Sequence, residues 1–432
     1  MCSSLSPRAI IPAMSSLPLD SLAFALLQAA RINATVFAGQ SLADGQLARV
    51  DSMARPAVQD LVYGSLRCYG RGDFFLRRLL AKPLADNEVR ALLLVAIYRL
   101  ETRPEAAHTV VDQAVAAAAQ LAGGNFRGLV NGVLRNFLRQ QSELIAALAA
   151  DAVAVSQHPD WWLHILQAAW PDDWQSIVNA GNGPPPMALR VNKRRSTRAE
   201  YLERLSAEGI AARPIGHFGL LLEKPLPVER LPGFTAGLVS VQDPGAQRAA
   251  ALLDPVPNSR VLDACAAPGG KTAHLLERTR LDMLALDLKP ARCRRVEANL
   301  TRLGLGAAIK AGDCTQLNTW WDGQFFDAVL ADVPCTASGV VRRNPDSKWL
   351  RRESDIASFA AAQARILDAL WQVVRPGGKL LYATCSVFPA ENGEQIAKFL
   401  ARQPQARRSH EEQLLPNAEH DGFYYCLLEK HG

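Results

Sequence analysis

The apolar positions of this chain change rhythm twice. Between about residue 19 and residue 140 they recur at spacings of three and four, in FALLQAARI, VQDLVYGSLRCYG, DFFLRRLL, EVRALLLVAIYRLE, AAHTVVDQAVAAAAQLA and RGLVNGVLRNFLRQ. Each run puts its apolar side chains on one stripe of a helix, and no alternating strand pattern intervenes. The segment therefore reads as an all-α bundle of roughly seven short helices. An alanine-rich helical stretch continues to His158-Pro159, where the proline ends it.

A mixed rhythm follows. WWLHILQAAW reads as a helix, the three prolines of GNGPPPMALRVNK cannot be helical, and MALRVNK leaves them as a strand. The helix STRAEYLERLSAEG and short strands over 210–215 and 219–222 complete a small two-layer α/β domain of ferredoxin-like type. From residue 237 the strands recur regularly. VSVQDPGAQRAAALL reads as a strand entering a helix, and then come SRVLDAC, DMLALDL, AAIKAGD, FDAVLADVP, GKLLYATCS and GFYYCLLEK. ARCRRVEANLTRLG and SDIASFAAAQARILDALWQVV lie between them as helices. Such alternation predicts a doubly wound, mostly parallel, Rossmann-like sheet, its last strand antiparallel to its neighbour. The expected layout is thus a Ser/Pro-rich disordered segment over 1–18, a helical domain over 19–155, a small α/β domain over 156–236 and a catalytic domain over 237–432.

Composition narrows the classes. With 49% apolar and 21% charged residues in 432, the chain can bury sizeable cores. No apolar run is long enough to span a bilayer and no secretory leader is evident, so a cytoplasmic protein without membrane partners is expected. The eight cysteines form no CxxC pair, which argues against a metal or a disulfide framework and for a reducing compartment. The net charge of +6 suits an acidic partner, and residues 1–150 hold 15 Lys+Arg against 11 Asp+Glu. Arg67, Arg71, Arg77, Arg78, Arg127, Arg135 and Arg139 lie in or beside helices near Tyr63, Tyr69 and Phe126, a composition that suits an RNA-binding face. Arg190, Lys193, Arg194 and Arg195, at the first strand of the small domain, read equally well as a charged loop or as a track for a nucleic-acid backbone.

Candidate chemistry gathers at the ends of the later strands. Val261 to Thr272, VLDACAAPGGKT, reads as strand, small-residue turn and helix start, where an open parallel sheet binds its ligand. A phosphate loop needs a glycine at position 265, which is cysteine, and the dinucleotide pattern GxGxxG is absent. Acids instead end four successive strands: Asp263, Asp287, Asp313 and Asp332. Asp287, 18 residues after Gly269, stands where an acid meets ribose hydroxyls, and Asp313 where one meets an exocyclic amine. A phosphate-free nucleoside cofactor with a cationic sulfonium suits that rim, which points to S-adenosylmethionine.

Two cysteines stand at the same edge, in Asp332-Val333-Pro334-Cys335 and Thr384-Cys385-Ser386. Carbon 5 of cytosine is too weak a nucleophile to attack a sulfonium until a thiolate adds to carbon 6. Either cysteine could supply that thiolate, and Asp332 is placed to hydrogen-bond N3 of the base. Directly after Cys335, TASGV offers small residues that could admit a base, and VVRRNPDSKWLRR carries Arg342, Arg343, Lys348, Arg351 and Arg352 as a candidate clamp on an RNA backbone.

The segments DACAAPGGKT, DLKP, GDC, DVPCTASGVVRRNPDSKWLR and YATCSVFPAENG resemble the signatures of the RNA cytosine-5 methyltransferases. VQDLVYGSLR and RGLVNGVLRNFL resemble the NusB-like RNA-binding domain, and the pairing is similar to bacterial enzymes acting on 16S rRNA of the small ribosomal subunit or its precursor. The resemblance covers nearly everything from residue 20 onward. It implies that Cys265, Ala266, Ala267, Pro268, Gly269, Gly270, Lys271, Asp287, Asp313 and Asp332 bind S-adenosylmethionine. It also implies that Cys385 is the nucleophile, that Cys335 assists product release, and that the target is cytosine 967 in bacterial reference numbering. Val333 departs from the commoner alanine without moving Asp332. The alternatives are another RNA, such as transfer RNA, as substrate, or a non-catalytic RNA-binding assembly factor.

Overall fold

The computed structural model describes residues 17–432; the predicted disordered segment lies, but for its last two residues, outside them. The chain forms two compact units. One comprises residues through His158 with Asn344–Asp346, the other Pro159–Arg343 with Ser347–Gly432.

The first unit is helical, as the periodicity predicts: α1 (Leu22–Phe37), α2 (Arg55–Arg67), α3 (Tyr69–Leu79), α4 (Asn87–Thr102), α5 (Ala107–Ala118), α6 (Arg127–Ala147) and α7 (Ala152–Ser156). The run VQDLVYGSLRCYG, which reads as one helix, breaks at Cys68 into two. Asp86 caps α4 by accepting from the backbone N–H of Glu88 and Val89, both at 2.9 Å. α4 is apolar on all sides because it is the central helix: Val89 and every residue from Ala91 to Ile97 are buried.

The second unit opens with α8 (Asp160–Ala169) and α9 (Trp174–Asn182). A small sheet follows, made of β1 (Ala188–Val191), β2 (Ala212–Ile215), β3 (Gly219–Leu222) and β4 (Val239–Val241) in the order β2-β3-β1-β4, all antiparallel. α10 (Arg198–Ala207), started by a Thr197–Glu200 capping box, buries Tyr201 and Leu205 against it. Residues 239–241, expected to open the catalytic domain, instead pair with β1 and complete this sheet. A three-residue apolar strand carries no mark of which sheet it will join.

The large sheet contains β5 (Arg260–Asp263), β6 (Asp282–Asp287), β7 (Ala308–Ala311), β8 (Phe326–Asp332), β9 (Val374–Thr384), β10 (Ala406–Leu414) and β11 (Phe423–Lys430), in the order β10-β11-β9-β8-β5-β6-β7. The five strands β5 to β9 pair in parallel, and β11 runs antiparallel to β9, as expected. The polar strand β10, ARRSHEEQL, is unforeseen by apolar patterning because it is a largely exposed edge. Alternate residues enter two cores. Leu262, Leu284, Val329, Leu380 and Tyr382 face one side, and Val261, Ala285, Leu330, Leu381 and Ala383 the other. α11 (Arg248–Leu253), α12 (Gly270–Arg278) and α13 (Pro290–Leu303) pack on one face. After the short α14 (Leu317–Trp320) and α15 (Ser347–Leu350), α16 (Glu353–Val373) and α17 (Gly393–Arg402) cover the other.

Candidate active site

The sheet order reverses between β5 and β8, so the crevice above their carboxyl ends is the topological switch point of the fold. Because β5 to β9 are parallel, the loops carrying Cys265–Lys271, Asp287, Asp313, Asp332, Cys335 and Cys385 all leave the same edge.

The loop after β5 is laid across its neighbours. The N–H of Ala264 donates to the carbonyl of Leu330 and that of Ala266 to the carbonyl of Leu286, both at 2.9 Å. Gly269 turns the chain into α12 with φ +93°, and a Cβ there would stand 3.1 Å from the side chain of Val296. Glycine meets both demands. Asp287 Oδ2 accepts from the backbone N–H of Ala267 at 3.1 Å and lies 3.4 Å from Arg292. Asp313 Oδ1 accepts from the N–H and hydroxyl of Thr315 at 2.9 and 2.7 Å. The neighbouring Cys314 and burial push the Cys265 thiol well above its ordinary value.

Asp263, ending β5, is 1% exposed. Its Oδ2 accepts from the Thr272 hydroxyl at 2.6 Å, whereas Oδ1 is buried without a hydrogen-bond partner among the described residues. Burial pushes this carboxyl up to about 7, against the opposing hydrogen bond from Thr272. Lys271 Nζ donates to Asp332 Oδ2 at 2.6 Å and stands 5.6 Å from the centre of the Phe423 ring. Burial works against the lysine charge, but the attraction of Asp332 outweighs it and holds the ammonium above its ordinary range.

The two cysteines meet. β8 and β9 are neighbours, Val333 N–H donates to the carbonyl of Ala383 at 3.0 Å, and Cys335 Sγ lies 3.4 Å from Cys385 Sγ. Cys335 is buried and Cys385 half-buried. The hydrogen bond with Cys385, together with burial, pushes the Cys335 thiol well above its ordinary value. The carbonyl of Cys385 accepts from Gly339 at 2.8 Å, and Gly339 packs so closely on Gly422 that a Cβ would stand 2.3 Å from its carbonyl oxygen.

Most of the expected basic clamp is not on the surface. Arg342 is 3% exposed and hydrogen-bonded to Asp421, and Arg343 pairs with both Asp421 and Asp243. Lys348 is fully buried, with Nζ 2.9 Å from Asn182 Oδ1. These three side chains hold loops together within the unit, because a buried cation is retained where carboxylates or amide oxygens take up its donors. Arg351 is partly exposed, stacks on Phe359 and donates to the carbonyl of Thr336, which leaves Arg352 as the exposed member. TASGV is likewise packed, with Thr336 and Ser338 buried in a hydroxyl network. Arg190 is buried too, donating to both carboxylate oxygens of Glu277 at 2.7 and 2.8 Å and to the carbonyl of Gly270 at 2.8 Å. It joins the small sheet to the helix start at the crevice.

In the helical unit Arg71 pairs with Glu101, Arg77 pairs with Asp73 and Asp151, and Arg67 stacks on Tyr63. Arg127, Arg135 and Arg139 are exposed on α6, spaced by eight and then four residues. Among the described residues no group of three or more His, Cys, Asp or Glu is placed to hold a metal, and no helix is long and apolar enough to cross a membrane.

A seven-stranded Rossmann-like sheet with an acid-rimmed switch point, in one chain with a ferredoxin-like sheet and a helical bundle, has the architecture of a methyltransferase with two accessory domains. Family comparison agrees in each part. Residues 250–429 match "16S rRNA methyltransferase RsmB/F", 158–229 the ferredoxin-like domain of the same methyltransferases, and 21–139 the NusB family. The chain is 44% identical over 426 residues to the ribosomal RNA small subunit methyltransferase B of Pseudomonas putida, covering 94% of this chain and 98% of that one. It is 45% identical to the protein of that name from Vibrio cholerae, covering 86% and 89%. The chain belongs to the ribosomal RNA small subunit methyltransferase B family of 16S rRNA methyltransferases. Among solved structures, PH0851 shares its fold at 22% identity with a TM-score of 0.81, covering 96% of this chain and all of that one. A methyltransferase homologue from Pyrococcus horikoshii matches 65% of this chain and 98% of its own length at 26% identity, with a TM-score of 0.58.

Proposed function

We propose that this protein methylates carbon 5 of cytosine 967 of 16S rRNA, using S-adenosylmethionine and a covalent cysteine adduct. The observation that carries the reading is the pair of thiols, 3.4 Å apart at adjacent strand ends beside the acid rim. The rim suits the cofactor. Asp287, Asp313 and the unpartnered Oδ1 of buried Asp263 offer acceptors to a cationic, hydroxyl-bearing nucleoside, and the Val261–Thr272 loop provides no cradle for phosphate. When bound, the cofactor supplies an electrophilic methyl group on a sulfonium.

Cys385 is the more exposed of the two residues, which supports it as the nucleophile. Its thiolate adds to carbon 6 of the cytosine. The C5–C6 double bond opens, and its electron pair passes toward C5 and N3, where Asp332 takes part in a hydrogen bond. Once C5 carries the methyl group, a solvent base takes its remaining proton, the freed C–H pair restores the C5–C6 double bond, and the C6–S pair leaves as the Cys385 thiolate. Cys335, held as a thiol beside Cys385, assists this release. The target base must leave its stack to reach the crevice, at less cost in a loop than in a duplex.

Mapping 5-methylcytosine in the RNA of a deletion strain and its parent tests activity and substrate together: one 16S site is expected to vanish, and an unchanged map refutes the reading. In vitro, Cys385→Ala is expected to abolish methylation while retaining cofactor binding, and Cys335→Ala to accumulate an RNA–protein adduct on a denaturing gel. Adduct that accumulates only without Cys385 reverses the two roles.

A further inference from the structure

Behind the two cysteines lies a carboxylate that the steps above do not use. Glu391 precedes α17 and is fully buried. Among the described residues no ion pair includes it; its partners are neutral donors. Oε1 accepts from the backbone N–H of Thr336 at 2.9 Å and from Gln363 Nε2 at 3.2 Å. Oε2 accepts from the hydroxyls of Thr336 and Ser386, both at 2.5 Å. Thr336 directly follows Cys335, and Ser386 directly follows Cys385. Gln363 also donates to the carbonyl of Pro334, the residue before Cys335, at 2.9 Å.

A buried carboxylate without a cation is a costly group to keep, and apolar packing could fill the same space. Burial raises its pKa, and the hydrogen bonds from Ser386 and Thr336 oppose that rise. What this carboxylate supplies, and an apolar side chain cannot, is a common anchor for two loops that leave different strands.

We propose that Glu391 is the positioning residue of the cysteine pair: its carboxylate ties down the residue after each sulfur and so sets their separation. The anchoring is unequal. Ser386 has other ties, from its N–H to Thr384, from its hydroxyl to Ser338, and from Asn392 to its carbonyl. The backbone N–H of Thr336 has Glu391 as its acceptor; besides Glu391, among the described residues, its hydroxyl meets Ser386 and its carbonyl accepts from Arg351 at 3.3 Å. Loss of Glu391 therefore frees Cys335 more than Cys385, and impairs release more than attack. That kinetic consequence rests on the function proposed above; the geometric one does not.

The test separates the two. In full-length protein, diamide oxidises the two thiols to a disulfide, itself reduced to the hydrazine, and peptide mass spectrometry reads the rate of Cys335–Cys385 closure. Glu391→Gln keeps the shape but turns an N–H₂ toward donors, and closure is expected to slow on the order of 10- to 100-fold, as for an ångström-scale misplacement. Thr336→Val removes only one hydroxyl, is expected to slow closure less, and decides the matter should Glu391→Gln not fold. Wild-type closure rates in the folded variants overturn the proposal. With RNA and cofactor, Glu391→Gln should accumulate covalent adduct, while KM for the cofactor stays within about twofold. A folded variant with slow closure but normal release overturns the kinetic part. Methylation that persists in Cys385→Ala removes the proposed chemistry while leaving the positioning role intact.

Discussion

Lys271 Nζ donates to Asp332 Oδ2 at 2.6 Å, joining the first turn of α12 to the end of β8 across the switch point. The pair fixes one oxygen of an acid that the proposed reaction uses at the base. Asp332→Asn keeps the shape and removes the charge. Methyl transfer is expected to fall by roughly 10²- to 10⁴-fold, the range for a positioned acid–base group, with a smaller loss of cofactor affinity. Single-turnover rates and equilibrium dialysis distinguish the two, and a wild-type rate rules the acid out of the chemistry.

Arg190 and Glu277 form a buried, two-pronged ion pair under the same helix. Arg190→Met strands the glutamate and is expected to cost about 3–5 kcal/mol in urea denaturation. Removing both charges with Arg190→Met and Glu277→Leu should restore much of this, because the expense lies in the unpaired charge. Equal losses in the single and double variants contradict that account.

Gly269→Ala forces a side chain into a left-handed turn against Val296. About 1–3 kcal/mol of strain is expected, together with weaker cofactor binding, because the turn shapes the loop. Thermal denaturation with and without cofactor checks both effects.

Asp263, with a folded pKa of about 7, sets a pH dependence. Between its unfolded value of 3.8 and about 7 the folded chain binds the extra proton, so stability falls as pH rises through that window and levels above it. Going from about pH 5 to about pH 8, the contribution lost is on the order of 2 kcal/mol. Asp263→Asn should remove this slope, so that the variant gains on wild type at the higher pH. Denaturation midpoints that run parallel at both pH values contradict the assignment.

The basic residues divide by burial. Arg135, exposed on α6, is expected to lower the salt slope of RNA binding by about one when changed to alanine, with little effect on folding. Arg342, buried against Asp421, is expected to destabilise the fold instead and leave that slope unchanged. Binding titrations over a range of salt, with melting curves alongside, separate the two.

The amino-acid pattern alone carried the helical bundle, the succession of strands and helices along the chain and the acids at the strand ends, because periodicity and strand-end chemistry are local properties. Its signature segments also carried the family and left only details for comparison to add. Other features were decided by tertiary structure alone. Residues 239–241 joined the small sheet, and β10 formed as a polar edge, because pairing partners are chosen in space and not in the pattern of one strand. Arg342, Arg343 and Lys348 read as an RNA-facing clamp, and Arg190 equally as a loop charge or a nucleic-acid track, yet each found a partner within the fold more than 75 residues away in sequence. A charge run shows where cations are but not which carboxylates or amides the fold will bring to them. Glu391, quoted within a signature segment but given no part, likewise acquired its partners only when β8 and β9 came together. The 3.4 Å between Cys335 and Cys385 belongs to the same class of fact: the residues are 50 positions apart, and only the pairing of their strands makes them neighbours.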